Sequence, residues 1–381
     1  MLVMVIVPLA FVVIPVFAGN PAQGTTTTGQ TLRIQIDEPV LGRDFVPGVP
    51  FTLTGETVIG ALNAPARLLY VVDVSLSTEE PVNQDCNGDG QLNAGDNLNG
   101  NSLQGDTLDC EISGVIALNT SLAANTVVSA GIVAFAASAV VADVDPAAGS
   151  QSFTALNANK NTNALLDIDE VARSLTSERV GLFTARSVSS GTDFNGALAA
   201  MNQAFATQTT PRKIAYFLSD GDHNIGDFRT EPGSPLANAA QAGIIVNTYS
   251  VGGAATGCGV AEALRIIADT TGGVCSEVAD PSELRTILPG TNPAGIARVE
   301  VSVGGATPIT ATLNALGRWS ANITACSTGS EAIVATVVAT DGTRVAADIQ
   351  LCAPTVLEEE KEPTEASAAA PRLFLPMVAK E

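Results

Sequence analysis

The chain has 381 residues, with 39 acidic and 18 basic side chains, one histidine and a formal net charge of −21. That surplus would repel nucleic acid and anionic membrane surfaces, so neither is expected as a partner. With 46% apolar residues the chain can bury a sizeable core, and its length suits two domains.

Residues 1–18, MLVMVIVPLAFVVIPVFA, are continuously apolar and end in the small-x-small pattern Val16-Phe17-Ala18. They read as a secretory signal peptide. An uncleaved anchor would be the chain's one route to a membrane, and the short run and its two prolines argue against it. Residues 19–30 read as a polar, Thr-rich linker. LRIQIDEPV (32–40) and PFTLTGETVIG (50–60) alternate as half-buried strands do. Two strands do not make a stable sheet. Residues 297–352 carry about five more alternating strands with Gly, Asn and Asp turns, the pattern of an antiparallel sandwich. The expected organisation is one β-sandwich, residues 31–64 and 291–352, split by a domain inserted at 65–290.

Within the insert, RLLYVVDVSLS (67–77) reads as a strand buried on both faces, ending in Asp73, Ser75 and Ser77. Helix 109–124, strand 126–136 and a hairpin partner at 138–144 follow. Helices are then expected at 164–175 and 193–205, a strand at 213–220 ending in Asp220, and a helix at 236–243. Strand 244–252, helix 258–273, strand 274–278 and helix 281–288 complete the series. This alternation predicts a doubly wound α/β fold, with ligands at the carboxyl ends of its strands. Hydroxyls and carboxylates at those ends suit a hard divalent cation. Asp167, Asp169 and Glu170 read as a solvated helix face, Asp193 as a helix N-terminal acid, His223 as a loop histidine and Trp319 as sandwich core. The tail from 353 contains EEEKE and Ala/Pro-rich sequence and reads as disordered.

Six cysteines fall as three local pairs, Cys86–Cys110, Cys258–Cys275 and Cys326–Cys352. An even count behind an export signal predicts three disulfides and an extracytoplasmic, secreted or surface location.

Three stretches together resemble the motifs of von Willebrand factor A (VWA) domains. They are DVSLS (73–77), Thr192 in SSGTDFNGAL and Asp220 in KIAYFLSDGDHN. The resemblance covers about residues 66–290 and implies a metal-ion-dependent adhesion site (MIDAS). In that family's manner Ser75 and Ser77 would bind Mg²⁺ or Mn²⁺ through their hydroxyls. Asp73, Asp220 and Thr192 would act directly or through water, and an acidic side chain of a protein partner would complete the shell. Residues 85–96, DCNGDGQLNAGD, resemble the dockerin version of an EF-hand Ca²⁺ loop. Its oxygen ligands would be Asp85, Asn87, Asp89, Asn93 and Asp96, with the Gln91 carbonyl and a sharp turn at Gly90. Residues 31–61 and 297–352 look like strands of a bacterial Ig-like domain. The expected function is a metal-dependent adhesion or protein-binding module. The alternative is a structural envelope or matrix component whose metals only stabilise the fold. No GxSxG, HExxH or Ser/His/Asp set is present, so neither an enzyme nor a small-molecule substrate is expected.

Overall fold

The structure is a computed structural model. It describes residues 21–27, 31–38, 48–59, 65–123, 128–177, 179–180, 187–188, 190–209, 212–252, 257–291, 295–314, 316–325, 331–339 and 342–351. The expected signal peptide, the Cys326–Cys352 pair and the acidic tail lie outside the described residues.

Strands β1 (Ala22–Thr25), β2 (Thr31–Glu38) and β3 (Phe51–Ile59) run antiparallel to one another. The expected linker is thus corrected in part: residues 22–25 are an edge strand. Pairing of a polar AQGT run uses backbone groups alone, so its composition does not reveal it. Gly24 also allows Val345 to approach, since a Cβ there would lie 2.6 Å from Val345 Cγ2.

The chain then enters a second sheet through β4 (Ala66–Asp73), followed by helix α1 (Thr107–Leu122) and β5 (Val128–Phe135). Short strands β6 (Ala139–Val141) and β7 (Thr154–Ala155) pair antiparallel with β5. Helices α2 (Asp167–Arg173) and α3 (Phe194–Ala206) precede β8 (Arg212–Ser219). The series closes with α4 (Pro235–Gln241), β9 (Ile244–Val251), α5 (Ala263–Thr271), β10 (Cys275–Val278) and α6 (Leu284–Ile287). The sheet order is β10-β9-β8-β4-β5-β6, and its first five strands are parallel.

Strand β4 is apolar on both sides because both are covered. Leu68, Tyr70 and Val72 pack in one core with α1, α2 and α6 residues. Leu69 and Val71 pack in the other with residues of α3, α4 and α5. The fold is therefore α/β and doubly wound, as the alternation predicted. Three helices are markedly shorter than expected, and of 164–175 only Asp167–Arg173 is helical. The 258–273 helix starts only at Ala263, because Cys258 is bonded to Cys275 in turn conformation. The last begins as a 3₁₀ turn, Pro281–Glu283, before α6.

The chain finally forms β11 (Ile296–Val303), β12 (Ile309–Thr310), β13 (Thr312–Leu313), β14 (Arg318–Ile323), β15 (Glu331–Ala339) and β16 (Arg344–Leu351). Strand β14 pairs with β3 across the whole α/β insertion, giving the sheet β1-β2-β3-β14-β13. A second sheet, β12-β11-β15-β16, shares its core. Trp319 sits in that core, and Gly55 makes room for it. A Cβ on Gly55 would lie 2.3 Å from Trp319 Cζ2 and 2.1 Å from the Gln35 carbonyl. Gly55→Ala should cost about 1–3 kcal/mol through overpacking. The check is an earlier denaturant midpoint in the fluorescence of Trp319, the chain's one tryptophan.

Candidate metal centre

Asp73 ends β4 and Ser219 ends β8, side by side in a register that pairs Val72 with Leu218. Chain order departs from β4 to β5 on one side, while β8 lies on the other. The carboxyl ends of these strands therefore border the crevice where an open α/β sheet binds ligands.

One Asp73 oxygen accepts the Ser75 N–H at 2.9 Å, and the other accepts the Ser219 hydroxyl at 2.6 Å. The Ser75 and Ser77 hydroxyls lie 3.0 Å apart, and Ser77 donates to Asp220 at 3.0 Å. Four of the five expected MIDAS residues thus form one hydrogen-bonded chain. The fifth, Thr192, is tied to the loop beyond Asp220 through its backbone. Its N–H donates to Asn224 Oδ1 at 2.8 Å, and its carbonyl accepts the Asn224 N–H at 3.0 Å. Asp73, Ser75 and Thr192 are buried, whereas Ser77 is exposed, so the centre opens on one side.

Burial, then the neighbouring Asp220 charge, push the Asp73 carboxyl up to about 7 against the hydrogen bonds from Ser219 and Ser75. Burial raises Asp220 to about 6, with Ser77 opposing it and Glu80 assisting. Behind them lies Glu111 of α1, fully buried, with neither carboxylate oxygen partnered. Burial and the charges of Asp73, Asp220 and Asp106 raise it well above the usual carboxylate range. Among the described residues no cluster of three or more His, Cys, Asp or Glu forms a metal cage. The donors here are instead two carboxylates and three hydroxyls, an all-oxygen set that fits a hard divalent cation.

Other residues were less legible. Ser219 and Glu111 reach the centre only through strand register and helix packing, which leave no local motif. His223 was expected as a loop histidine. Its side chain is buried, and Nδ1 accepts the Phe194 N–H at 3.0 Å at the start of α3. Asp193 is the N-cap residue of α3, although its side chain makes no capping bond.

The 85–96 loop leaves the same sheet edge. Asp85 accepts N–H groups from Gly88 and Gly90 at 2.7 Å and from Asp89 at 3.1 Å. Asn87 accepts from Asp89 N–H at 2.8 Å, Asp89 from Gln91 N–H at 2.9 Å, and Asn93 from Gly95 N–H at 2.6 Å. Gly90 has φ +87°, the left-handed turn conformation that glycine tolerates best. Asp96 is buried and accepts the Asn87 and Asn93 N–H groups at 3.0 and 2.8 Å. The oxygen-rich ring fits Ca²⁺. Disulfide Cys86–Cys110 joins this loop to α1, and Cys258–Cys275 joins a turn to β10.

No protein-family model matches the chain, and no curated protein matches it. Several solved structures are similar at low identity. A "von Willebrand factor type A" protein from Catenulispora acidiphila is 16% identical, with a TM-score of 0.38 over 89% of this chain and 75% of that one. The vWF domain of the type V pili tip protein Mfa5 from Porphyromonas gingivalis is 13% identical, with a TM-score of 0.35 over 59% and 93%. Proximal thread matrix protein 1 from the mussel byssus, solved with a zinc-occupied MIDAS motif, is 14% identical, with a TM-score of 0.34 over 59% and 44%.

The titrations set a pH dependence. Asp73 and Asp220 hold their protons more tightly folded than unfolded, so the metal-free protein is favoured below about pH 4 and loses that advantage as pH rises through about 6–7. Each such carboxyl costs up to about 1.4 kcal/mol per pH unit across the window. With EDTA, the thermal midpoint should fall between pH 5 and pH 7.5, and less steeply in Asp73→Asn. Added Mg²⁺ should raise it more at pH 7.5, where protons no longer compete.

Proposed function

We propose that this chain is a secreted or surface-held module that binds a protein partner through a divalent cation at the Asp73, Ser75, Ser77, Thr192 and Asp220 centre. The observation that carries this reading is the hydrogen-bonded chain from Ser219 through Asp73, Ser75 and Ser77 to Asp220. Mg²⁺ or Mn²⁺ there would supply a Lewis-acidic position with room for an acidic group of the partner. Three of the five donors are neutral hydroxyls, so the set offsets less of the ion's charge than a carboxylate cage does. Ser75 and Ser77 would hold the ion through their hydroxyls, while Asp73 and Asp220 would balance its charge. Asn224 would keep the threonine loop in register with Asp220.

The rim suits a protein better than a small polar ligand. Leu76, between the two serines, is 60% exposed, and Ile225, beside Asn224, is 40% exposed. Exposed apolar side chains beside the cation position would give a protein partner apolar surface to bury. Ca²⁺ in the 85–96 loop would brace this rim. The disulfides Cys86–Cys110 and Cys258–Cys275 support an extracytoplasmic location. We read the module as non-enzymatic: His223, the chain's one histidine, has Nδ1 engaged with the Phe194 N–H and offers little as a general base.

The test is capture from the native secreted and envelope fraction in Mg²⁺ plus Ca²⁺, with Asp73→Ala as a folded control. A partner held by wild type, released by EDTA and reduced at least about tenfold by Asp73→Ala is expected. Equal capture by both proteins would move binding to the sandwich. No partner with either would favour the structural role. A second check is Leu76→Asp, which should weaken capture while leaving Mg²⁺-dependent thermal stabilisation intact.

A further inference from the structure

Asp167 and Asp169, expected on a solvated helix face, are buried, at 0% and 7% exposure. The preceding segment explains why. Residues 159–170 read NKNTNALLDIDE. Oxygen-bearing side chains occupy loop positions 1, 3, 5, 9 and 12 as Asn159, Asn161, Asn163, Asp167 and Glu170. Leu165 sits at position 7, where a Ca²⁺ loop offers a backbone carbonyl, and the glutamate usual at position 12 of an EF-hand is present. We propose that residues 159–170 form a second Ca²⁺ site, separate from both the MIDAS-like centre and the 85–96 loop.

The geometry converges as such a loop requires. Glu170 receives the Asn163 amide on one carboxylate oxygen and the Asn161 amide on the other, so positions 3, 5 and 12 face one point. An Asn amide turned by half a rotation presents oxygen where it presented nitrogen, which makes the Asn161 side chain a ligand in place, while Asn163 Oδ1 keeps a second lone pair for the cation. Asn163 Oδ1 accepts the Leu165 N–H at 2.8 Å, the same position-5 to position-7 bond that Asp89 makes with Gln91. Thr162, at position 4, has φ +57°, matching Gly88 at +74° in the other loop.

The independent observation is Asp167. One of its oxygens accepts the Lys160 N–H at 3.0 Å, which points the carboxylate into the loop. The other, Oδ2, is buried with no hydrogen-bond partner, as is Asn159 Oδ1. Buried carboxylate oxygens are normally satisfied, and a cation would satisfy both of these atoms. Departures from the pattern set the strength. Position 1 is Asn rather than Asp, and Ala164 stands where glycine is usual. Two carboxylates occupy the ligand positions here, against three in the 85–96 loop. The site should therefore be the weaker of the two, with Kd on the order of 10⁻⁴–10⁻³ M, the range of extracellular modules. Asp169, at position 11, is already engaged by Asn119 of α1 at 2.9 Å. Ordering this loop would therefore fix α2 against the helix that carries Glu111 and Cys110.

Lys160 gives a local readout, because its side chain is about half exposed and the 85–96 loop contains neither Lys nor Arg. Digestion with a calcium-independent lysine-specific protease should cut the Lys160–Asn161 bond in EDTA. Millimolar Ca²⁺ should slow that cut at least about tenfold. Glu170→Gln should abolish the protection, whereas Asp89→Asn should keep it. Equilibrium dialysis should count one fewer Ca²⁺ in Glu170→Gln than in wild type. If Glu170→Gln does not fold, the exposed double variant Asn161→Ala/Asn163→Ala serves in its place. Cleavage indifferent to Ca²⁺ in wild type, or equal protection in Glu170→Gln, would overturn the proposal. Loss of Ca²⁺ only in Asp89→Asn would do the same while upholding the 85–96 loop.

Discussion

A carboxylate buried at the edge of a central sheet organises this molecule. Asp73 has no exposed surface, and it ends a strand covered on both faces. A lone buried charge is costly, and it persists only where polar groups or a counter-charge meet it. The Ser75 N–H and the Ser219 hydroxyl supply the polar groups. The neighbouring acids Asp220 and Glu111 increase the demand for positive charge. A proton meets that demand, and the divalent cation proposed for this centre would meet it in the proton's place.

The scaffold holds the opposite end of the same sheet. Arg212, the first residue of β8, donates to the Leu316 carbonyl at 2.8 Å and lies 3.5 Å from Glu56 of β3. Leu316 itself belongs to the core formed with α1, α2 and α6. The β8 strand runs from this junction to Ser219, about 23 Å at the usual rise per residue. The sandwich therefore grips the amino end of the strand, while the carboxyl end carrying Asp220 stays open. Strand β14, paired with β3 across the inserted domain, makes the grip a closed connection at both ends of that domain.

Two acid- and amide-rich loops flank α1, the helix that carries Glu111 behind Asp73. One is stapled to it by Cys86–Cys110, and the other reaches it through Asn119 and Asp169. Both are built from short polar side chains that satisfy backbone N–H groups locally, which lets irregular chain pack against a helix. Position 12 is buried in the first loop and half-buried in the second. Their oxygen-bearing positions differ mainly in charge, three carboxylates against two.

Much of this was legible from residue order. The apolar run before Asp73 and the hydroxyls after it declared a strand ending in oxygen-bearing side chains, because a strand covered on both faces must be apolar throughout and its end is where polarity returns. The doubly wound fold followed from the alternation of elements, and the local pairing of Cys86 with Cys110 and Cys258 with Cys275 from the order of the cysteines. Tertiary structure alone decided what depends on register and packing. It set Ser219 against Asp73, buried Glu111 behind both, engaged His223 with the start of α3 and turned Asp167 inward. It also made a strand of residues 22–25, whose side chains carry no strand signal. Local sequence encodes which face of an element is apolar. Which polar groups meet across elements depends on strand order and helix packing, and those distances exist only once the chain has folded.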